Sequence, residues 1–358
     1  MRSSTSNSKR PGPLARGVAA FGLAFALLSA GGFLAGRFYP SLGWQGSLPP
    51  VPPNDRYVIT EAYSDSATDL YTLYYNIGSA MDAARKADIL IVGNSKPFFA
   101  FRNPALLEFS RRTSWKVFNL AMPCGSDLNS ARALIERFHL RPQVLIVAEN
   151  HFFNPVVSPY DRDTMAMGPL RARFLVFEEN IAWPFRATLH RFFPRFDLGR
   201  LFGPEPVVLY RSLQNGCLSM ENFSHYPVPV GEKDPVEEKL SAEEFKIAME
   251  FRKQMESQGT RILLTSIPCG TDEADHLDRW VSDPEKRRVI AKAEETYEKA
   301  DQAAARLGLP CLEPEVKGLF TFDGRHLDGK SAEKFTAVFW GDFLKLSMVK
   351  DLRPSSGP

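Results

Sequence analysis

Ile89-Leu90-Ile91-Val92-Gly93-Asn94-Ser95 is the stretch from which the fold reads. Four apolar residues in a row, with no polar alternation, read as a strand buried on both faces, the pattern of a parallel sheet. Ser95 falls just past the C-terminal end of that strand. In open α/β sheets this rim is where ligands bind. Far downstream, Asp323-Gly324-Arg325-His326 sets an aspartate and a histidine three positions apart, ahead of a C-terminal helix. The two stretches supply the three residue types of a serine-nucleophile site.

Working outward, an α/β rhythm surrounds both stretches. Strands are expected at 88–92, 116–120, 143–148, 260–266 and 309–312. Helices are expected at 66–86, 104–112, 126–138, 242–257, 284–307 and from about 328 to 346. Pro104 sits near one helix start, and Ser126 or Asp127 is placed to cap another. Strands alternating with helices imply an α/β fold: a five-stranded parallel sheet, helices on both faces, in a flavodoxin-like layout. Residues 152–240 are rich in Phe, Pro and Arg, lack clean periodicity, and read as an inserted region of short helices and loops.

The N-terminus differs. Gly17–Gly36 carries no charge over 20 residues, enough as a helix to cross the roughly 30 Å hydrocarbon core of a bilayer. Arg2, Lys9, Arg10 and Arg16 precede it and Arg37 alone follows closely. The positive-inside rule then puts residues 1–16 in the cytoplasm as a tail. A cleaved signal peptide is the competing reading, with Ser29-Ala30-Gly31 as a fair cleavage site. Either way the main domain is expected in the periplasm or outside the cell. Residues 37–60, with Pro49, Pro50, Pro52 and Pro53, read as a linker. The domain proper is expected over 61–350, with 351–358 as a tail.

A net charge of +2 and the lack of a long basic run or zinc spacing set nucleic acid and metal aside. No cofactor is expected. The four cysteines, Cys124, Cys217, Cys269 and Cys311, include two in Pro-Cys-Gly turns. The strands before Cys124 and Cys269 are expected three steps apart, about 14 Å by strand spacing. That exceeds the roughly 7 Å a disulfide tolerates, so buried thiols are the expectation.

Four short blocks in chain order resemble the SGNH (GDSL-like) hydrolase family. Gly93-Asn94-Ser95 is similar to its first block. Asn119-Leu120-Ala121-Met122-Pro123-Cys124-Gly125 is similar to the second, with Gly125 as its glycine. Ala148-Glu149-Asn150-His151 is similar to the third, and Asp323-Gly324-Arg325-His326 to the last. The sequence departs from the pattern at Asn94, where aspartate is common, at Ala148, where glycine is, and at His151, where aspartate is.

The resemblance implies a triad. His326 takes the proton of Ser95, Asp323 orients the imidazole, and an oxyanion hole forms from the N–H groups of Ser95 and Gly125 with the Asn150 amide. Each residue also has a plainer reading: a helix cap for Ser95, a turn for Asn150 and for Asp323-Gly324, a loop histidine for His326. Lys96 and His151 are candidate substrate contacts, the plainer alternatives being a solvated lysine and an exposed loop histidine.

The implied activity is a membrane-anchored acyl esterase or O-acyltransferase. It would act on O-acetyl groups of cell-envelope or exported polysaccharide, beside a membrane-bound O-acyltransferase. The departures keep a second expectation open, an inactive glycan-binding or scaffold module. A lipid esterase, with an apolar groove leading to Ser95, is a third. Between Arg171 and Phe202, arginines interleave with aromatics. The stretch reads either as a membrane-facing surface or, by preference, as lid helices with Phe inward and Arg in solvent.

Overall fold

A computed structural model of the chain describes residues 57–61, 68–122, 128–148, 159–177, 208–219, 228–229, 241–268, 300–322 and 326–355. All of them belong to one compact unit, Pro49–Asn180 with Val207–Pro358. Gly17–Gly36, the apolar N-terminal stretch, lies outside the described residues. Among those residues no helix is long and apolar enough to cross a membrane.

The centre is a parallel sheet of four strands: β2 (Ile89–Val92), β3 (Val117–Asn119), β4 (Val144–Ala148) and β8 (Arg261–Thr265). Their spatial order is β3-β2-β4-β8. Thus β2 pairs with both β3 and β4, Leu90 facing Phe118 on one side and Leu145 on the other. Every residue of β2, β3 and β4 is buried, as a strand covered on both faces must be.

Because side chains alternate across a strand, the sheet divides two cores. Leu90, Val92, Leu145, Val147, Ile262 and Leu264 face one layer. There they meet Leu70 and Leu73 of α1 (Thr68–Tyr74), Leu134 and Ile135 of α4 (Leu128–Phe138), Phe251 and Met255 of α6 (Ala242–Ser257), and Ala303 and Leu307 of α7 (Ala300–Leu307). Ile89, Ile91, Val144, Ile146 and Leu263 face the other. It contains Ala100 of α2 (Ser95–Ala100), Leu106 and Phe109 of α3 (Ala105–Thr113), and Phe335, Phe339, Trp340 and Phe343 of α8 (Gly329–Phe343). Phe109 stacks on Trp340 with ring centroids 4.2 Å apart.

The helix boundaries follow from local chemistry. Ser241 and Glu244 close a reciprocal capping box at the start of α6. Asp328 accepts from the Ser331 N–H at the start of α8. The helix expected over 66–86 stops at Tyr74. Asn76 and Gly78 take left-handed backbone angles (φ 49° and 63°), and the Asn76 side chain accepts from the Met81 N–H (2.9 Å).

Two further departures concern strands. The fifth strand expected at 309–312 is reduced to one parallel bridge, Leu264 with Cys311. Pro310 has no N–H to extend the ladder; its carbonyl accepts from Leu264 N–H, and Leu312 N–H returns to Leu264 O. The region read as irregular contains real pairing. β5 (Val208–Ser212) lies between β6 (Leu218–Ser219) and β1 (Tyr57–Glu61) in an antiparallel sheet. β1 begins at Tyr57, inside the stretch read as linker. Another short pair joins β7 (Val228–Pro229) to β9 (Phe320–Thr321). Helix is present as well, at α5 (Pro159–Ala166) and over residues 169–177.

β5 carries Arg211, which is wholly buried. It pairs with Asp69 of α1 at 3.3 Å, both side chains at most 1% exposed. Burial lowers the Arg211 pKa, and the Asp69 charge opposes that shift. Removing one member of a buried pair strands the other charge, at a cost of about 3–5 kcal/mol. Asp69→Ala should therefore lose about that much stability in urea unfolding, against under about 1 kcal/mol for the half-exposed Asp82→Ala control.

Candidate active site

Ser95 is delivered by a tight strand-to-helix turn. β2 ends at Val92, and Gly93 follows with φ +149°. A Cβ built there would lie 2.7 Å from Pro97 Cγ and 3.2 Å from Ala148 O. Only glycine fits a turn pressed between α2 and the end of β4. Asn94 then caps α2, its Oδ1 accepting from Lys96 N–H at 2.9 Å. Ser95 opens the helix and is partly exposed. Its backbone N–H is among the first-turn donors that have no acceptor within the helix.

His326 arrives from the other end of the chain. The Phe322 N–H donates to His326 O (3.0 Å), and Asp328 N–H to Phe320 O (2.9 Å). These bonds set 320–322 beside 326–328, and β7 pairs with β9. The imidazole sits against Phe99 and Phe322, with ring centroids at 4.7 and 5.7 Å. Its Nε2 lies 2.8 Å from Ser95 Oγ. With Nε2 unprotonated, the serine hydroxyl donates to it, the arrangement a general base requires.

The two elements are tied to each other directly. The Thr336 hydroxyl, two turns into α8, lies within donating distance of Ala100 O at the end of α2 (2.8 Å) as well as of Ala332 O in its own helix (2.7 Å). It also accepts from Arg102 N–H (3.2 Å). The Arg102 side chain is buried beside this joint. Loss of water lowers its pKa to about 10, with the Glu333 charge opposing.

The loop after β3 is held just as closely. Leu120 N–H donates to Ile91 O and Met122 N–H to Gly93 O, so the loop runs alongside the Ser95 turn. Asn119 Nδ2 donates to Pro97 O (3.2 Å), and its Oδ1 accepts from Ala121 N–H (2.9 Å). Arg211 donates to Asn119 O (2.6 Å), Ala121 O (2.9 Å) and Gly216 O (3.0 Å). Its guanidinium lies 5.1 Å from the Phe98 ring centroid. Gly216 (φ +71°) packs so near that a Cβ would meet Asn119 O at 2.1 Å.

The structure thus brings together Ser95 and His326. Lys96 is 4% exposed, so the solvated alternative fails for it. Asp323, Gly125, Asn150 and His151 lie outside the described residues, as do Cys124 and Cys269. Cys217 is buried and Cys311 partly so. Asn119 and Arg211 were not singled out by sequence. A polar residue closing an apolar strand was the available signal for Asn119. Arg211 gave none, because its partners lie up to 142 positions away. A shallow cavity of about 360 Å³ lies at the opposite rim of the sheet, lined by Gly259, Thr260, Arg261 and Gly308. It is remote from this chemistry. No protein-family model, curated protein or solved structure matches the chain.

Gly93→Ala tests the turn. The added methyl must displace Pro97 or the Ala148 carbonyl, at a cost of about 1–3 kcal/mol. Ser95 moves with α2, so the variant should lose that stability in thermal unfolding. It should also react with a serine-directed phosphonate at least tenfold more slowly than the parent.

Proposed function

We propose that this chain is a serine acyl esterase or O-acyltransferase that works through an acyl-Ser95 intermediate. The substrates are O-acetyl groups of cell-envelope or exported polysaccharide. The enzyme is tethered by Gly17–Gly36 and faces the periplasm. The observation that carries the chemistry is the 2.8 Å approach of His326 Nε2 to Ser95 Oγ across 231 positions of sequence. A cap serine and a loop histidine have no reason to meet. A binding module needs no such contact, so it weighs for the enzyme over the scaffold reading. The four blocks and the β3-β2-β4-β8 order also agree with a flavodoxin-like, SGNH-type domain, in which the bridge at Cys311 takes the fifth strand's place.

In the proposed cycle His326 Nε2 removes the Ser95 proton as Oγ attacks the ester carbonyl carbon. The oxyanion that develops is met by the Ser95 N–H, with Gly125 N–H and the Asn150 amide as partners. Each such donor typically contributes about 3 kcal/mol to the transition state. The carbon–oxygen bond to the leaving alcohol breaks as His326 returns its proton to that oxygen. Water or a sugar hydroxyl then attacks acyl-Ser95, losing its proton to His326; the acyl–Oγ bond breaks, and His326 returns that proton to Oγ, regenerating the serine. Water gives hydrolysis; a sugar gives transfer. Asp323 holds the imidazole in the tautomer with Nε2 free. A membrane-bound O-acyltransferase is the partner that would supply the acyl group.

Two outcomes are expected. A fluorophosphonate probe should label the wild type and not Ser95→Ala; equal labelling removes Ser95 from the nucleophile's role. Asp323→Asn should cut hydrolysis of p-nitrophenyl acetate on the order of 10³–10⁴-fold with an unchanged unfolding midpoint. Unaltered turnover would mean that another group orients His326.

A further inference from the structure

Phe99 and Phe322 are 3% and 2% exposed, yet neither belongs to the two cores that flank the sheet. Among the described residues Phe98 is the one other buried phenylalanine outside both cores. It lies edge-on to Phe99, with centroids 5.2 Å apart. What Phe99 and Phe322 share is the His326 imidazole. Its centroid is 4.7 Å from Phe99 and 5.7 Å from Phe322, and the two phenyl rings are 5.5 Å from each other. Phe322 lies nearly parallel to the imidazole, at 24°, and Phe99 is inclined to it at 49°. The phenyl rings thus form a corner against one side of the base.

Spacing in the chain builds that corner. Ser95 and Phe99 are four positions apart on α2, so they share a helix face. The helix that carries the hydroxyl therefore also carries a wall for the base. The bridge between Thr321 and Leu327 sets Phe322 opposite His326, with both side chains on the same face of the paired arms.

The corner meets a need that hydrogen bonds leave open. The outer torsion of a histidine side chain is broad and roughly two-fold. The Ser95 hydrogen bond fixes one ring atom. An aspartate on Nδ1, the task given to Asp323, fixes an axis. The ring can still turn about that axis, which swings the Nε2 lone pair off Oγ and weakens the bond. Against the corner, turning presses the imidazole into one phenyl ring or parts it from the other, and aromatic pairs resist such changes of angle.

We infer that Phe99 and Phe322 are positioning residues: their corner fixes the plane of the His326 imidazole and keeps Nε2 aimed at Ser95 Oγ. The inference rests on the serine-nucleophile reading and adds to it two side chains that act through the base.

The test uses the full chain in detergent micelles, well below its unfolding midpoint. Phe99→Leu and Phe322→Leu each remove a ring and keep an apolar side chain. Phe109→Leu, in the core against Trp340, is the control for general loosening. One reading is the labelling of Ser95 by a fluorophosphonate over a range of concentrations. The other does not depend on ester chemistry: carbethoxylation of His326 by diethyl pyrocarbonate, followed by mass spectrometry of the peptide that bears it. Each of the two site variants should slow the chemical step of labelling about tenfold, with unchanged affinity for the probe. Each should speed carbethoxylation about fivefold, the weight of one lost aromatic pair. Phe109→Leu should match the wild type in both. Wild-type labelling or wild-type carbethoxylation in the site variants would overturn the inference, and so would equal changes in Phe109→Leu. If the wild type itself takes no label, the serine-nucleophile reading falls, and carbethoxylation alone decides whether the corner fixes the ring.

Discussion

The contact between Ser95 Oγ and His326 Nε2 is a constraint on the whole molecule. It joins the two ends of the fold at the C-terminal rim of the parallel sheet. Ser95 reaches it because β2 is central, paired on both sides, and cannot slide. His326 reaches it because α8 packs Phe335, Phe339 and Phe343 into the core beneath that rim. The Thr336 hydroxyl then locks the end of α2 to α8. A hydroxyl and an imidazole held this way would need little reorganisation for the proposed reaction, which is where preorganised sites gain rate.

Polar interactions in the interior serve the same geometry. Arg211 is buried completely, an expensive place for a cation. It is compensated by Asp69, three backbone carbonyls and the Phe98 ring. Two of those carbonyls, from Asn119 at the end of β3 and Ala121 just after it, lie a few residues before Gly125 in the sequence. The strand that brings Arg211 comes from the region between 152 and 240. That strand is therefore part of the framework of the site. At the opposite rim Asp88 plays a quieter part. It accepts from Lys116 N–H (2.9 Å), Gln143 Nε2 (3.2 Å) and Ser355 N–H (2.9 Å), tying three segments at the strands' starting ends.

What could be read from sequence was what is encoded locally. The apolar runs of β2, β4 and β8, the helices over 242–257 and from about 328, and the placement of Ser95 at a strand's end all depend on neighbours a few residues away. The pairing of β5 with β1 was invisible for the opposite reason. Its fourth residue is an arginine, which reads as solvent-facing unless Asp69, 142 positions distant, is known to be beside it. Lys96 misled in the same way, a charge by type but buried by position. Pro310 did announce itself: a proline in a short run should have demoted the strand at 309–312, as the single bridge at Cys311 confirms. The Ser–His meeting was an expectation from two separate motifs, and only the fold brings them to hydrogen-bond distance.

Trapping the acyl-enzyme tests the central claim most directly. The chain would be mixed with an activated acetyl ester, quenched in acid, and the peptide bearing Ser95 weighed by mass spectrometry. The account predicts one acetyl group on Ser95 in the wild type and none in His326→Ala under the same exposure. An unmodified Ser95 in the wild type, or equal acetylation with and without the imidazole, would contradict it.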